Sequence, residues 1–269
     1  MNSIRNKIVL ITGSTDGIGK QTALDLAKMG AELIVHGRNE ERALNAIHEL
    51  KATSGNEKMH FVTSDLSSLK QIKNMSDEIH HRFEKIDVLI NNAGVFKTKR
   101  ELSDYGFEMT FAVNHLSYFL LTKLLLDLIG ESEYKRIVNV ASQAHADKLD
   151  FDNLQGERHF DGFDAYSRSK LCNIMFTYAL AQRLDGTGII VNALHPGVIS
   201  TKLLHTGFGM GGSSLNTGSK TSVFLTTSPE VDGVSGGYFV NSRLAKSSKI
   251  SYDQKIQDEL WSISEKLVS

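Results

Sequence analysis

One cysteine, Cys172, stands in the 269 residues, so no internal disulfide can form and the chain fits a reducing compartment. At an apolar position in a helical stretch, Cys172 reads as a small buried hydrophobe. Neither sign of charge prevails: 30 Lys and Arg face 31 Asp and Glu, a formal net charge of −1. With the basic residues scattered, there is no nucleic-acid surface and no polybasic membrane arm. Long apolar runs are missing as well. The longest, residues 119–129, carries Lys123 and Asp127 and is too short and too charged to span a bilayer. Only Met1 to Asn6 precede the first apolar run, too few for the core of a secretory signal. The expectation is therefore a cytoplasmic protein with no integral membrane segment and no nucleic-acid partner. Asn74-Met75-Ser76 fits a glycosylation acceptor only by chance. His145, His195 and His205 lack the spacing of a metal site on one helix and read as pocket or surface residues, so no metal is expected.

What is present is alternation. Short β-branched runs at Ile8–Thr12, Glu32–His36, His60–Thr63, Val88–Ile90, Arg136–Val140, Ile189–Leu194 and Tyr238–Val240 are separated by longer amphipathic segments. Leu69, Ile72, Met75, Ile79 and Phe83 recur at helical spacing, as do Ile256, Leu260, Ile263 and Leu267. The pattern predicts a single α/β domain over 1–269, a mostly seven-stranded parallel sheet, doubly wound, with helices on both faces. Residues 1–135 read as mainly the dinucleotide-binding half and 136–269 as the catalytic and substrate-binding half. No internal repeat or linker divides them. A Gly- and Ser-rich stretch, Thr206 to Lys220, predicts a mobile loop across about 200–222, polar apart from Phe208, Met210 and Leu215.

Polar and unusual residues gather just after the strands: Gly13, then Gly37 and Arg38, then Asp65, then Asn91-Asn92-Ala93-Gly94, then Ser142, then His195-Pro196-Gly197. In an open parallel sheet these carboxyl ends share one edge, where ligands bind. "TGSTDGIGK", Thr12 to Lys20, follows a strand and opens a helix. Gly13 permits the tight turn, and Gly17 and Gly19 let the backbone approach a pyrophosphate at the helix N-terminus. After the second strand, where a binder of unphosphorylated NAD carries an acid, the chain reads "VHGRNEER". Arg38 offers a fork for a 2′-phosphate, which favours NADP(H) over NAD(H). Asp65 either accepts from an adenine amino group or caps the next helix. Tyr166 and Lys170 fall four residues apart, on one face of a helix.

These residues resemble the short-chain dehydrogenase/reductase superfamily almost end to end. The matching positions are Thr12-Gly13-Ser14-Thr15-Asp16-Gly17-Ile18-Gly19, Asp65, Asn91 to Gly94, Asn114, Ser142, Tyr166-x-x-x-Lys170 and Pro196 to Thr201. "AYSRSKLCNIMFTYALAQRL", "NALHPGVISTKL" and "LWSISEKLV" look like the branch of retinol dehydrogenases and related NADPH-dependent carbonyl reductases. The resemblance implies a Rossmann-type fold and a catalytic set of Ser142, Tyr166, Lys170 and Asn114. Tyr166 would be the proton donor, with the Lys170 cation lowering its pKa and holding the nicotinamide ribose. Ser142 would bind the substrate oxygen. Asn114, in a long helix from about Tyr105 to Ile129, would position Lys170 through a water. The cofactor would lie along Gly13 to Gly19, Arg38, Asn39, Asp65, Leu66, Asn92, Ala93 and Gly94, with Asn91 and Gly94 lining the ribose. Pro196, Gly197, Ile199 and Thr201 would meet the carboxamide. Each residue alone has a plain structural reading; all four catalytic types at matching places do not.

Ser142 and Tyr166 are further apart than in much of the superfamily. The added segment, with Phe151, Phe160 and Phe163, is expected to wall the site, near a surface the family uses for pairing, so homodimer and homotetramer both stay open. The reaction expected is reversible reduction of small or medium aldehydes and ketones with an apolar portion. Two other readings share the fold: a dinucleotide-binding sensor or interaction protein, and an NADP-dependent double-bond reductase.

Overall fold

The computed structural model describes residues 3–269, the side chain of Phe208 excepted. Seven strands run parallel: β1 (Ile8–Ile11), β2 (Glu32–Gly37), β3 (Met59–Thr63), β4 (Val88–Asn91), β5 (Arg136–Val140), β6 (Ile190–His195) and β7 (Gly237–Val240). A two-residue strand that the sequence pattern did not show, β8 (Arg243–Leu244), pairs antiparallel with β7. The order β3-β2-β1-β4-β5-β6-β7-β8 reverses direction of winding between β1 and β4. There the loops diverge, and a crevice opens at the carboxyl ends.

Strand side chains alternate between two apolar layers. Leu10, Ile34 and Leu89 join one core; Val9, Ile11, Val35, Val88 and Ile90 join the other. Helices α1 (Gly17–Lys28) and α2 (Glu40–Ser54) cover the second layer, with α8 (Leu215–Thr227) packed on α1. Helices α3 (Leu69–Arg82), α5 (Ser117–Gly130) and α6 (Gly162–Arg183) cover the first, and α9 (Gln254–Val268) lies over α6. Both helical periodicities hold: Leu69, Ile72, Met75 and Ile79 are buried in α3, and α9 presents Leu260 and Trp261 to the core, the indole 4.9 Å from Phe119.

The helix expected from Tyr105 begins four residues later. Gly106 holds a left-handed turn at φ 77°, and the Glu108 carboxylate accepts from the amides of Thr110 and Phe111, both at 2.8 Å. Glu108 thus caps a single turn, α4 (Met109–Phe111), followed by a π-helical turn over Ala112–Leu116 and then α5. By length and composition 109–130 could cross a membrane, but 78% of its apolar window is buried inside the fold.

The expected loop over 200–222 is also corrected. Thr201 caps α7 (Lys202–Phe208), which ends at Gly209 with φ 62°, and α8 starts at Leu215. Between the two helices lies 209–214, where Ser213 bridges to Ile199. The small residues that suggested a loop are the packing face of α8: Gly218, Ser219, Thr221, Ser222 and Thr226 are buried, and the Ser219 hydroxyl donates to Asp25 of α1 at 2.5 Å.

Candidate active site

The glycine-rich turn is locked to the turn after β4. Thr12 Oγ1 accepts from the amides of Asn92 (2.9 Å) and Ala93 (3.0 Å), and Asn92 Nδ2 donates back to the Thr12 carbonyl at 2.8 Å. The two turns touch: a Cβ on Gly13, where φ is +64°, would sit 2.9 Å from Ala93 Cα, and one on Gly19 would sit 2.4 Å from both Asn92 Nδ2 and the Gly13 carbonyl oxygen. Gly13 and Gly19 are therefore required by the protein's own packing. Asp16 caps α1 by accepting from the Gly17 amide at 2.8 Å. The next amides lack intrahelical acceptors by the geometry of a helix start and suit an anion.

His36 is the residue that sequence reasoning missed here. Its Nδ1 accepts from the Gly13 amide at 3.0 Å, so its Nε2 carries the proton and donates to the Ser64 carbonyl at 3.1 Å. The neutral ring braces the glycine-rich turn against the end of β3. Burial holds it down to about 4, opposed by the bond to Ser64 and the nearby Asp65. No local motif signals this, because the contacts span 23 and 28 residues.

A cleft of about 1700 Å³ runs along this edge of the sheet. At one end stand Arg38 and Arg42, both exposed, and neither forms an ion pair among the described residues. Arg42, in the first turn of α2 and four residues after Arg38, was not foreseen. Asn39 Oδ1 caps α2, accepting from the Arg42 amide at 3.0 Å. Asp65 and Leu66 line the cleft beside them. Asp65 is not the cap of α3, which is Ser68; its Oδ1 accepts from Ser67. Two unpaired guanidiniums and a helix N-terminus match the donors that a phosphorylated dinucleotide needs.

At the other end, Tyr166 and Lys170 project from α6 and meet Ser142, just past β5. Tyr166 is 7% exposed, its ring 5.6 Å from that of Phe96, and Ser142 hydrogen-bonds to it. Lys170 Nζ lies 5.6 Å from the ring centroid and donates to the Val140 carbonyl at 3.0 Å. Burial pushes the phenol up to about 12, with Ser142 opposing, and pushes the ammonium down to about 7. Where the lysine was expected to lower Tyr166, burial is the largest influence on the phenol and raises it, with the Ser142 hydrogen bond opposing. The walls here are apolar, from Val95, Phe96, Met109, Val113, Val198 and Leu204.

Nearly all positions named from sequence line this one cleft: Gly13, Thr15 to Gly19, Arg38, Asn39, Asp65, Leu66, Asn92 to Gly94, Ser142, Tyr166, Lys170, Pro196, Gly197, Ile199 and Thr201. Three do not. Ser14 is buried; its hydroxyl donates to the Ile11 carbonyl at 2.7 Å and accepts from the His36 amide at 3.0 Å, so it staples β1 to β2. Asn91 donates to Thr122 (3.0 Å) and Asn139 (2.8 Å) inside the core rather than lining a ribose. Asn114, in the π-helical turn, accepts from the Val95 amide at 2.8 Å and donates to Ser169 Oγ at 2.9 Å. It ties the turn after β4 to the residue beside Lys170. The segment expected to wall the site stands one layer back. A Cβ on Gly162 would lie 2.5 Å from the Lys97 carbonyl oxygen, so the segment buttresses the Phe96–Thr98 stretch that forms the wall.

A doubly wound sheet whose switch point carries such a turn, with a tyrosine and a serine meeting at the far end of the same cleft, defines a nicotinamide-dinucleotide oxidoreductase. The chain belongs to the short chain dehydrogenase family, which matches over residues 7–208. It is 39% identical to retinol dehydrogenase 13 from Homo sapiens, over 99% of this chain and 86% of that one. It is 35% identical to polyprenol dehydrogenase from Homo sapiens, over 96% and 83% respectively. Among solved structures, an uncharacterized protein from Mycobacterium Paratuberculosis superimposes with a TM-score of 0.82 at 27% identity, covering 99% of this chain and 94% of that one. A short chain dehydrogenase from Escherichia coli CFT073, complexed with NADPH, gives 0.74 at 22% identity, covering 90% and 100%, a likeness of fold.

Proposed function

We propose that the protein is an NADP(H)-dependent oxidoreductase that reversibly reduces apolar aldehydes and ketones to alcohols. The observation that carries this is the two-ended cleft: unpaired Arg38 and Arg42 at one end, and Ser142, Tyr166 and Lys170 at the other. The names of the relatives, retinol and polyprenol dehydrogenase, and the apolar lining around Tyr166 together favour a carbonyl carried on a hydrocarbon body.

Arg38, Arg42 and the N-terminus of α1 would hold the phosphates, and Lys170 and the turn at Asn92 to Gly94 the nicotinamide end. When bound, the reduced nicotinamide supplies hydride to the carbonyl carbon. Ser142 donates a hydrogen bond to the substrate oxygen as charge grows there. Tyr166 gives its phenolic proton to that oxygen, which completes the alcohol. A buried phenol keeps its proton until the substrate oxygen becomes the stronger base. Lys170, poised near 7, stabilises the phenolate left behind. Asn114 holds α6 in register through Ser169.

The test is oxidation of NADPH against a panel of aldehydes and ketones that includes retinal. Tyr166→Phe removes the proton donor and is expected to cost about 100- to 10,000-fold in kcat, with NADPH affinity kept. Full activity in that variant rules the assignment out. Tight NADPH binding with no turnover across the panel would instead favour the dinucleotide-sensing role.

A further inference from the structure

The Ser142 loop is gripped from behind, at a place no catalytic assignment covers. His145 Nδ1 lies 2.7 Å from the Ser142 carbonyl oxygen, which only accepts, so Nδ1 carries the ring proton. Its Nε2 is then a bare acceptor, and it receives the Ser248 amide at 3.0 Å. The ring stands edge-on to Tyr238, 5.6 Å between centroids. His145 does not line the cleft. Ser248 belongs to the C-terminal arm, which is itself anchored: Ser247 Oγ bonds Tyr178 of α6 at 2.8 Å and Ser251 at 2.6 Å, and Gln257 of α9 donates to the Ser251 carbonyl at 2.7 Å.

We infer that His145 is a positioning residue, a two-ended strut that sets Ser142 against Tyr166 by bracing the Ser142 carbonyl on the C-terminal arm. The inference rests on the catalytic reading above. It differs from a packing role because the ring is held at both nitrogens, in one tautomer, with one end on the backbone of the reacting serine. Two other anchors fix the same loop: the Gln143 amide donates to His195 Nδ1 at 3.1 Å, and the Ala146 amide to the Ser167 carbonyl at 3.0 Å. With His145 removed, the loop keeps its course, but the peptide joining Ser142 to Gln143 is held at one edge only, by the bond to His195, and a displacement of about an ångström at a group that touches substrate costs on the order of a hundredfold.

The experiment uses the full chain with NADPH and the aldehyde panel, and three variants. His145→Ala is expected to lower kcat about 10- to 100-fold, with the Kd for NADPH within about twofold of wild type. His145→Asn places an amide donor where Nδ1 was and recovers part of kcat; His145→Gln reaches only toward Ser248 and stays near the alanine value. A kcat within about twofold of wild type in His145→Ala overturns the inference, as does a loss shared equally by all three variants and tracking Tm. A second readout needs no turnover. Nitrogen-15 shifts of the ring should show Nδ1 protonated and Nε2 bare, and the Tyr166 Cζ shift should move in His145→Ala and return in His145→Asn. If wild type reduces nothing, the proposed function fails, while these shifts still decide the strut: a protonated Nε2 with a bare Nδ1, or a Tyr166 signal indifferent to residue 145, overturns it.

Discussion

The two sides of the cleft are built on different principles. The glycine-rich turn is held by hydrogen bonds at fixed backbone sites, by Thr12, Asn92 and His36, and by glycines whose Cα atoms are in contact with other backbone. The opposite side, residues 198–215, is tied mostly to itself: the Ser200 amide donates to the Ser213 carbonyl at 2.9 Å, and the Ser213 amide to the Val198 carbonyl at 2.8 Å. Among the described residues its polar link to the glycine-rich turn is one exposed ion pair, Lys202 with Asp16. Val198 and Met210 stand about half exposed on it. The glycine-rich side thus has no room for an added methyl group at Gly13 or Gly19, while the opposite side is apolar and partly exposed. Glycine substitutions should expose this contrast most sharply. Gly19→Ala drives a Cβ into backbone and is expected to cost about 3 kcal/mol of stability and to abolish NADPH binding. Gly211→Ala, with nothing within 4 Å, should change stability by less than about 0.5 kcal/mol. Thermal melts and NADPH titration of both variants check the pair; equal effects would erase the distinction.

Acid should reach the rigid side through His36. The ring is neutral in the fold, its pKa depressed by burial from 6.5 to about 4. Between those values the unfolded chain binds a proton that the folded chain does not, so stability is full above about 6.5 and falls as pH drops toward 4. The contribution is up to about 3 kcal/mol for this ring. His195, lowered to about 4 by burial and by its neighbours His145 and Lys170, and His115, lowered to about 3 by burial, add slopes of the same sign. Denaturant unfolding at pH 7 and pH 4.5 measures the sum, and His36→Gln should flatten it by roughly one proton's share. An unchanged slope in that variant would mean the Gly13 brace does not depend on a neutral ring.

The open end of the rigid side should reveal itself as selectivity. Arg38→Ala and Arg42→Ala are each expected to weaken NADPH about 10- to 30-fold, the worth of a charge-assisted contact, and to leave NADH nearly unchanged. Equal losses for both cofactors would place the guanidiniums elsewhere than on the 2′-phosphate.

The same contrast explains what could be read from residues alone. Strands of β-branched residues, the turn from Thr12 to Gly19 and the Tyr166–Lys170 spacing are local patterns, and the structure brings them to one cleft. Ser14 and Asn91 look like ligand contacts because they sit inside the motif, yet their side chains turn inward to staple strands. Whether a residue in a turn faces ligand or core is decided by partners far away in sequence, as with His36 and Ser64. Residues 215–227 were illegible for a different reason. Glycine, serine and threonine are poor helix formers in isolation, but a face of small residues is what lets α8 sit close on α1. The late start of the helix expected from Tyr105 came from Glu108, a carboxylate cap whose signal is no stronger than any other acid in a polar stretch.

The smallest expected effect is also the one that isolates the link between the two sides. Asp16 serves twice: it caps α1 through the Gly17 amide, and it pairs with Lys202 at the start of α7, the contact that chiefly lowers its pKa. Lys202→Ala removes only the pair, and an exposed pair is worth at most about 0.5–1 kcal/mol. Its melting temperature should hardly move, and less still in high salt. Asp16→Ala loses the cap as well, at about 1 kcal/mol. The useful quantity is therefore the rate at which NADPH leaves. With the pair gone, no hydrogen bond or ion pair among the described residues joins α7 to the glycine-rich turn, and release should quicken by no more than about threefold at low salt. In 1 M salt, where the Debye length is about 3 Å, wild type and variant should coincide. A larger or salt-independent change would mean that α7 is bound to the rigid side more tightly than its exposure implies, and that the slack lies instead in 209–214.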